Sequence, residues 1–256
     1  MAWGLGYFGQ PHIIVRFMAI RSVKDVPTAR NIGMSWMIVS LIGALSTGFA
    51  GRAYVQKTAM TLDDPETIFL VFTQFLFTPL VSGFLLAAIL AAIMSTISSQ
   101  LLVVSSSLTK DVYKLFFDKE ASESRQVIVG RLSVIVVALV SIMLASDPDS
   151  SVLTLVSNAW AGFGAAFGPL VIFSLVWSGM NRNGAVAGML VGALTVILWI
   201  YGPFEINGMA LNSWLYAIVP GFILSTIAIF VVSSMTGGPK PSVSATYKEM
   251  ELNLNK

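Results

Sequence analysis

Residues 82–109 read SGFLLAAILAAIMSTISSQLLVVSSSLT, a run of 28 positions without a charged side chain. As a helix rising 1.5 Å per residue it is about 42 Å long, enough to cross a bilayer with tilt. Its hydroxyls are concentrated near mid-span, at Ser95, Thr96, Ser98 and Ser99, beside Gln100. Ala88, Ala92, Ser95, Ser99 and Ser106 recur at helical spacing and form a face of small residues. Such a face admits another helix backbone at close range. It also offers neutral oxygens at the depth where carriers hold a small cation. The residues by themselves leave two readings open: Ser and Thr bonding back to the i−4 carbonyl in a face that only packs, or a cation site.

The composition around this run points the same way. Of 256 residues, 55% are hydrophobic and 11% charged, and mean hydropathy is +0.80. That balance describes a polytopic, all-α membrane protein rather than a water-soluble domain, and no alternating pattern of a membrane β-barrel occurs. A net charge of +2 gives no footprint for nucleic acid. With no cysteine and one histidine, disulfides, thiol chemistry and a protein metal site other than one for sodium are not expected. No nucleophile–base pair and no Gly-rich phosphate loop appears, so an enzyme is not expected, and no cofactor is called for.

The chain opens on WGLGYFGQPH, where Gly4, Gly6, Gly9 and Pro11 oppose a continuous helix. Pro11 suits the first turn of a new half-helix. Broken backbone within a membrane is tolerated only inside protein or beside a cavity, so residues 1–20 read either as a kinked helix or as a broken one beside a binding site. Trp3, Tyr7, Gln10 and His12 lie at the break. An apolar start with no basic leader region reads as a fragment beginning within a membrane segment.

Further helices are expected at about 31–55, 127–146, 152–177, 185–201 and 214–235, with a short external helix over 67–78 that is too small to span. Gly162, Gly164, Gly168 and Pro169 predict bending in the fifth segment. Residues 110–126 are expected as a charged loop, Asp147-Pro148-Asp149 as a tight turn, and 236–256 as a tail, disordered or a short surface helix. Placing the loop after the first segment inside leaves only Arg52 and Lys57 of the fifteen bases outside, together with Asp63, Asp64, Glu66, Asp147, Asp149 and Glu205. This positive-inside pattern predicts a cytoplasmic C-terminus and seven crossings. No Asp or Glu falls inside a span, which favours sodium over protons as a coupling ion.

WGLGYFGQPHIIVRFMA, LLAAILAAIMSTISSQLLVVSSSLTKDVYK, WAGFGAAFGPLVIFSLVW and MNRNGAVAGMLVGALTVILW, in that order, closely resemble the C-terminal half of the proline-carrying bacterial members of the sodium/solute symporter family. The resemblance runs from Trp3 to about Val232. It implies a leucine-transporter-like fold, in which two five-helix repeats of opposite topology enclose a midplane site. Residues 1–178 would be the second repeat, 179–235 two peripheral helices and 236–256 the cytoplasmic tail.

Carried over residue by residue, the resemblance implies sodium binding at Ala92 through its carbonyl and at Ser95 and Thr96 through their hydroxyls, with further ligands from the N-terminal half. It implies a site for L-proline at Trp3, Tyr7 and Pro11, with Gln10 a weaker candidate. The expected activity is sodium-coupled symport of L-proline across the bacterial inner membrane. The expected partners are sodium, L-proline, the lipid bilayer and the missing N-terminal half, with no nucleic acid. The alternatives are a symporter for another small carboxylate-bearing solute, or a solute-sensing membrane module, against which the short tail argues. A channel would need a ring of repeated pore-lining polar residues, and none is seen.

Overall fold

The computed structural model describes residues 2–146, 151–206 and 208–254. Two short helices, α1 (Ala2–Tyr7) and α2 (Pro11–Met18), are followed by α3 (Val26–Thr58), α4 (Ile68–Leu76) and α5 (Pro79–Ser107). After α6 (Glu123–Ala145), α7 (Val152–Val176) and α8 (Arg182–Tyr201) comes a small hairpin, β1 (Glu205–Ile206) paired antiparallel with β2 (Met209–Ala210). The chain ends with α9 (Leu211–Trp214), α10 (Ile218–Met235) and α11 (Pro241–Leu254). Six helices among the described residues are long and apolar enough to cross a membrane. The expected seventh crossing corresponds to the opening stretch, which the structure divides into helices of six and eight residues. The Asp147-Pro148-Asp149 turn and Lys256 lie outside the described residues.

Several helix starts differ from the sequence expectation for one recurring reason. Expected boundaries followed apolar runs, whereas four helices begin where proline can occupy a first turn without losing a hydrogen bond; α6 and α8 also begin earlier than expected without a proline, α8 on its Asn181 cap. Pro27 stands in the first turn of α3, Pro79 opens α5, Pro220 sits in the first turn of α10 and Pro241 opens α11. Trp214, expected in the last span, belongs to α9 instead. Of the loop expected over 110–126, the first part is a π-helix, Leu108–Phe117, continuing directly from α5, residues 118–122 are loop, and the rest opens α6. The charges of the π-helix do not interrupt it, and the Tyr113 and Phe117 rings stack one turn apart at 6.3 Å.

The chain forms two compact units. The first comprises residues up to 18 and from 143 onward. Its core joins Ala161 and Ala165 of α7, Val196 of α8 and Ile218 of α10, with Ala217, all nearly inaccessible. Packing is close because glycines line the contacts. A Cβ on Gly184 or Gly188 of α8 would strike Ser233 or Ile229 of α10, and one on Gly192 would strike the Ala165 carbonyl of α7. That carbonyl lacks its usual i+4 donor, because position 169 is Pro169. α7 runs from Val152 to Val176 with Pro169 inside it, and two of its glycines are contact points: a Cβ on Gly164 would meet Gly6 and Ile218, and one on Gly168 would meet Phe222.

Polar ties hold the ends of this bundle. Asn181 caps α8 by accepting from the Gly184 N–H at 2.9 Å, while its Nδ2 donates to Ser233 O, Thr236 Oγ1 and Gly237 O at the end of α10. Tyr216 donates its hydroxyl to Ser157 O of α7 at 2.7 Å, and Trp199 Nε1 donates to Leu215 O at 2.8 Å.

The second unit holds residues 19–142. Tyr54 of α3 packs edge-on against Phe72 of α4, with ring centroids 5.7 Å apart, and Gly51 admits Ile68 to the α3 backbone. α3 stops at Ala59, whose φ of 51° is left-handed. The apolar flanks of α3, α5 and α6 are almost entirely exposed, which is the surface that lipid or further protein covers.

Candidate functional site

The candidate site residues fall into two groups, one in each unit. In the first, the chain breaks between α1 and α2. Gly9 N–H donates to Gly6 O at 3.0 Å and Gln10 N–H to Tyr7 O at 3.3 Å, turns that end α1. Pro11 then opens α2, as its fixed φ and missing N–H favour. The glycines do more than break the helix. A Cβ on Gly6 would meet the Trp160 indole, one on Gly9 would meet the Phe163 carbonyl, and one on Gly164 would lie 2.7 Å from the Gly6 Cα. The break is therefore seated on α7 at backbone range.

Trp3 and Tyr7 share a face of α1 at i and i+4, and Gln10 follows in the break after it. Trp160 meets all three. Its ring stacks on Trp3 at 5.2 Å with a 26° tilt and meets the Tyr7 ring edge-on at 4.9 Å. Its Nε1 donates to Trp3 O at 3.0 Å, and its own carbonyl accepts from Gln10 Nε2 at 3.5 Å. Trp3 and Tyr7 remain 40% and 42% exposed, whereas Gln10 is 4% exposed. The result is an aromatic pair braced on one side and open on the other, beside a buried amide. Such surfaces take a small, largely saturated ring and orient its polar end. The sequence reading placed Gln10 behind Trp3 and Tyr7, yet it is the most buried of the set. It also missed Trp160, which a sequence signal did mark: an aromatic within a run of small residues, AWAGFGAAFGP.

In the second unit, Ala92, Ser95 and Thr96 lie on adjacent turns of α5, all exposed. Thr96 Oγ1 donates to Ala92 O at 3.2 Å, Ser98 to Met94 O at 2.7 Å and Ser99 to Ser95 O at 2.8 Å. Three of the mid-span hydroxyls thus bond back one turn, as the back-bonding part of one sequence reading expected. The same bond brings together two of the oxygens expected to hold a cation. The small-residue face does not pack within this unit: Ala88, Ala92, Ser95 and Ser106 are exposed. A polar contact of α5 lies further along, where buried Ser105 donates to Gly130 O of α6 at 2.9 Å and Thr109 is buried beside it. Among the described residues no cluster of His, Asp and Glu suited to a metal ion occurs.

These features define a polytopic helical membrane protein with a helix broken beside a small aromatic site. The family described as Sodium:solute symporter family matches residues 1–192, and the chain belongs to that family. The Osmoregulated proline transporter OpuE of Bacillus subtilis is 52% identical over 256 residues, which is 100% of this chain and 51% of that protein. Sodium/proline symporter 2 of Staphylococcus saprophyticus is 56% identical over 241 residues, 93% of this chain and 47% of that protein. The Sodium/proline symporter of Staphylococcus aureus strain Newman is 55% identical over 255 residues, covering 98% and 49%. The chain thus spans about half the length of the curated relatives it matches. No solved structure matches it.

Proposed function

We propose that this chain takes part in sodium-coupled symport of L-proline, acting as a carrier rather than an enzyme and needing no cofactor beyond sodium as the coupling ion. The observation that carries the reading is 52–56% identity, along nearly the whole chain, to proteins named as proline transporters and sodium/proline symporters. The site geometry is compatible with it. Trp3 and Tyr7 present partly exposed rings to a pyrrolidine ring, Gln10 supplies a buried amide, and Pro11 starts the second half-helix at the break.

Sodium would be held by the Ala92 carbonyl and the Ser95 and Thr96 hydroxyls. Neutral oxygens suit a monovalent ion that must also leave. The remaining ligands would come from the half of the relatives that this chain does not align with. In this reading residues 1–178 form the second repeat of a leucine-transporter-like fold, 179–235 two peripheral helices and 236–256 a tail. The protein lies in the bacterial inner membrane with its C-terminus in the cytoplasm. Each ligand stabilises the conformation that the other needs, so the sodium gradient drives solute accumulation.

The test is proline uptake into vesicles under an imposed sodium gradient, with this chain produced alone and together with the complementary half of a relative such as that of Bacillus subtilis. Uptake that needs both pieces and collapses when the gradient is dissipated is the expected result. With both pieces inserted and stable, no proline uptake in either case would refute the proline assignment.

A further inference from the structure

Trp160 stands where the rigid part of the first unit meets the broken helix. Behind it, its ring packs against the core of Ala161, Ala165, Val196, Ala217 and Ile218. In front, it stacks on Trp3, meets the edge of Tyr7 and bonds the Trp3 carbonyl. Gly6 lies directly beneath the indole, where any side chain would collide with it. One side chain therefore fixes three successive points of α1, on the face that leads to the break. Neither Trp3 nor Tyr7 is buried by its own helix; their placement depends on this ring. We propose that Trp160 is a positioning residue for the solute site: it holds the Trp3 and Tyr7 rings at a fixed separation and so sets affinity and selectivity for a small five-membered ring.

The inference rests on the reading of Trp3 and Tyr7 as the solute site. Trp160 acts through them and is not itself required to touch the solute. Its indole N–H is the only donor it offers. Trp160→Phe keeps an aromatic ring and removes that donor, whereas Trp160→Ala removes the support altogether. Neither substitution alters the Trp160 backbone carbonyl that accepts from Gln10.

Two measurements test it. In vesicles holding the chain and its complementary half, Trp160→Phe is expected to raise the KM for proline roughly three- to tenfold, the scale of one lost hydrogen bond, with half-saturating sodium unchanged. Trp160→Ala should raise it further and reduce discrimination against the six-membered-ring homologue of proline. An unchanged proline KM in Trp160→Phe, or a parallel rise in the sodium requirement, overturns the proposal, because the latter marks a general packing defect. The second measurement needs no transport. The sequence has no cysteine, so Gln10→Cys introduces a single thiol at a buried position. In detergent, its labelling by a maleimide should accelerate severalfold when Trp160→Ala is added, since the break is then released from α7. An unchanged rate overturns the positioning role. If the paired chains take up no proline, the transport reading fails by itself and the labelling result alone decides what Trp160 does.

Discussion

Thr96 and Ala92 occupy one turn of α5, with the hydroxyl already 3.2 Å from the carbonyl oxygen. A cation bound there would replace a hydrogen bond with two ion–dipole contacts and would need little rearrangement. Thr96→Ala removes one oxygen from an exposed position and leaves the helix backbone intact, so folding should be nearly unaffected. In the paired transporter it is expected to raise the half-saturating sodium concentration roughly three- to tenfold, as the loss of about 1 kcal/mol of contact would. Sodium titration of proline uptake, set against the amount of protein in the membrane, checks this. Tyr7→Ala should act on the other ligand. It removes a half-exposed ring, and the expected change is a several-fold higher KM for proline with the sodium dependence unmoved. A shift in both parameters for either variant would mean that the two groups of residues are not separate sites.

At the scale of helices, the first unit is held by what side chains leave out. Gly184, Gly188 and Gly192 form a ridge at four-residue spacing along α8, and α7 and α10 close onto it. In a membrane, where apolar side chains gain little by leaving lipid, close backbone approach is a main source of helix association. The Ala165 carbonyl, freed by Pro169, faces Gly192 directly. Gly192→Val is accordingly expected to cost about 1–3 kcal/mol through overpacking, read as a lower unfolding temperature in detergent and faster proteolysis. A glycine with open surroundings, such as Gly33 of α3, should tolerate valine with little change.

The same comparison shows what was legible in the sequence at this scale. The break after Tyr7 was legible because proline and glycine act locally on the backbone. The glycine ridge of α8 went unread, because nothing local separates a glycine that spaces two helices from one that does not. The π-helical extension of α5 was likewise hidden behind Lys110, Asp111 and Lys114, charges that suggest a loop but are accommodated where the helix carries on past its apolar run.

For the molecule as a whole, charge asymmetry gives the orientation its test. In the proposed topology the bases flanking the spans would fall almost wholly on one side, and Asp63, Asp64 and Glu66 on the other. With no native cysteine, Asp63→Cys and Lys240→Cys each introduce a single thiol. In intact cells a membrane-impermeant maleimide is expected to label the first and not the second, and permeabilisation should expose the second. Labelling of both from one side would reverse or abolish the proposed topology.

Composition alone determined that this protein is helical and spans a membrane, because burying so many apolar residues with so few charges leaves no other solvent for them. The resemblance of its motifs, in order, pointed to the family, and local proline and glycine chemistry determined where the first helix breaks. The tertiary structure alone decided which residues meet. Gln10, a weaker candidate in the sequence, proved the most buried of the candidate residues at the break, Trp160 joined Trp3 and Tyr7 across more than 150 positions of chain, and the hydrogen bond of α5 to α6 fell at Ser105 instead of on its small-residue face. Those outcomes depend on which helices lie side by side and how closely their backbones approach, and both are properties of packing between distant segments that no single stretch of sequence contains.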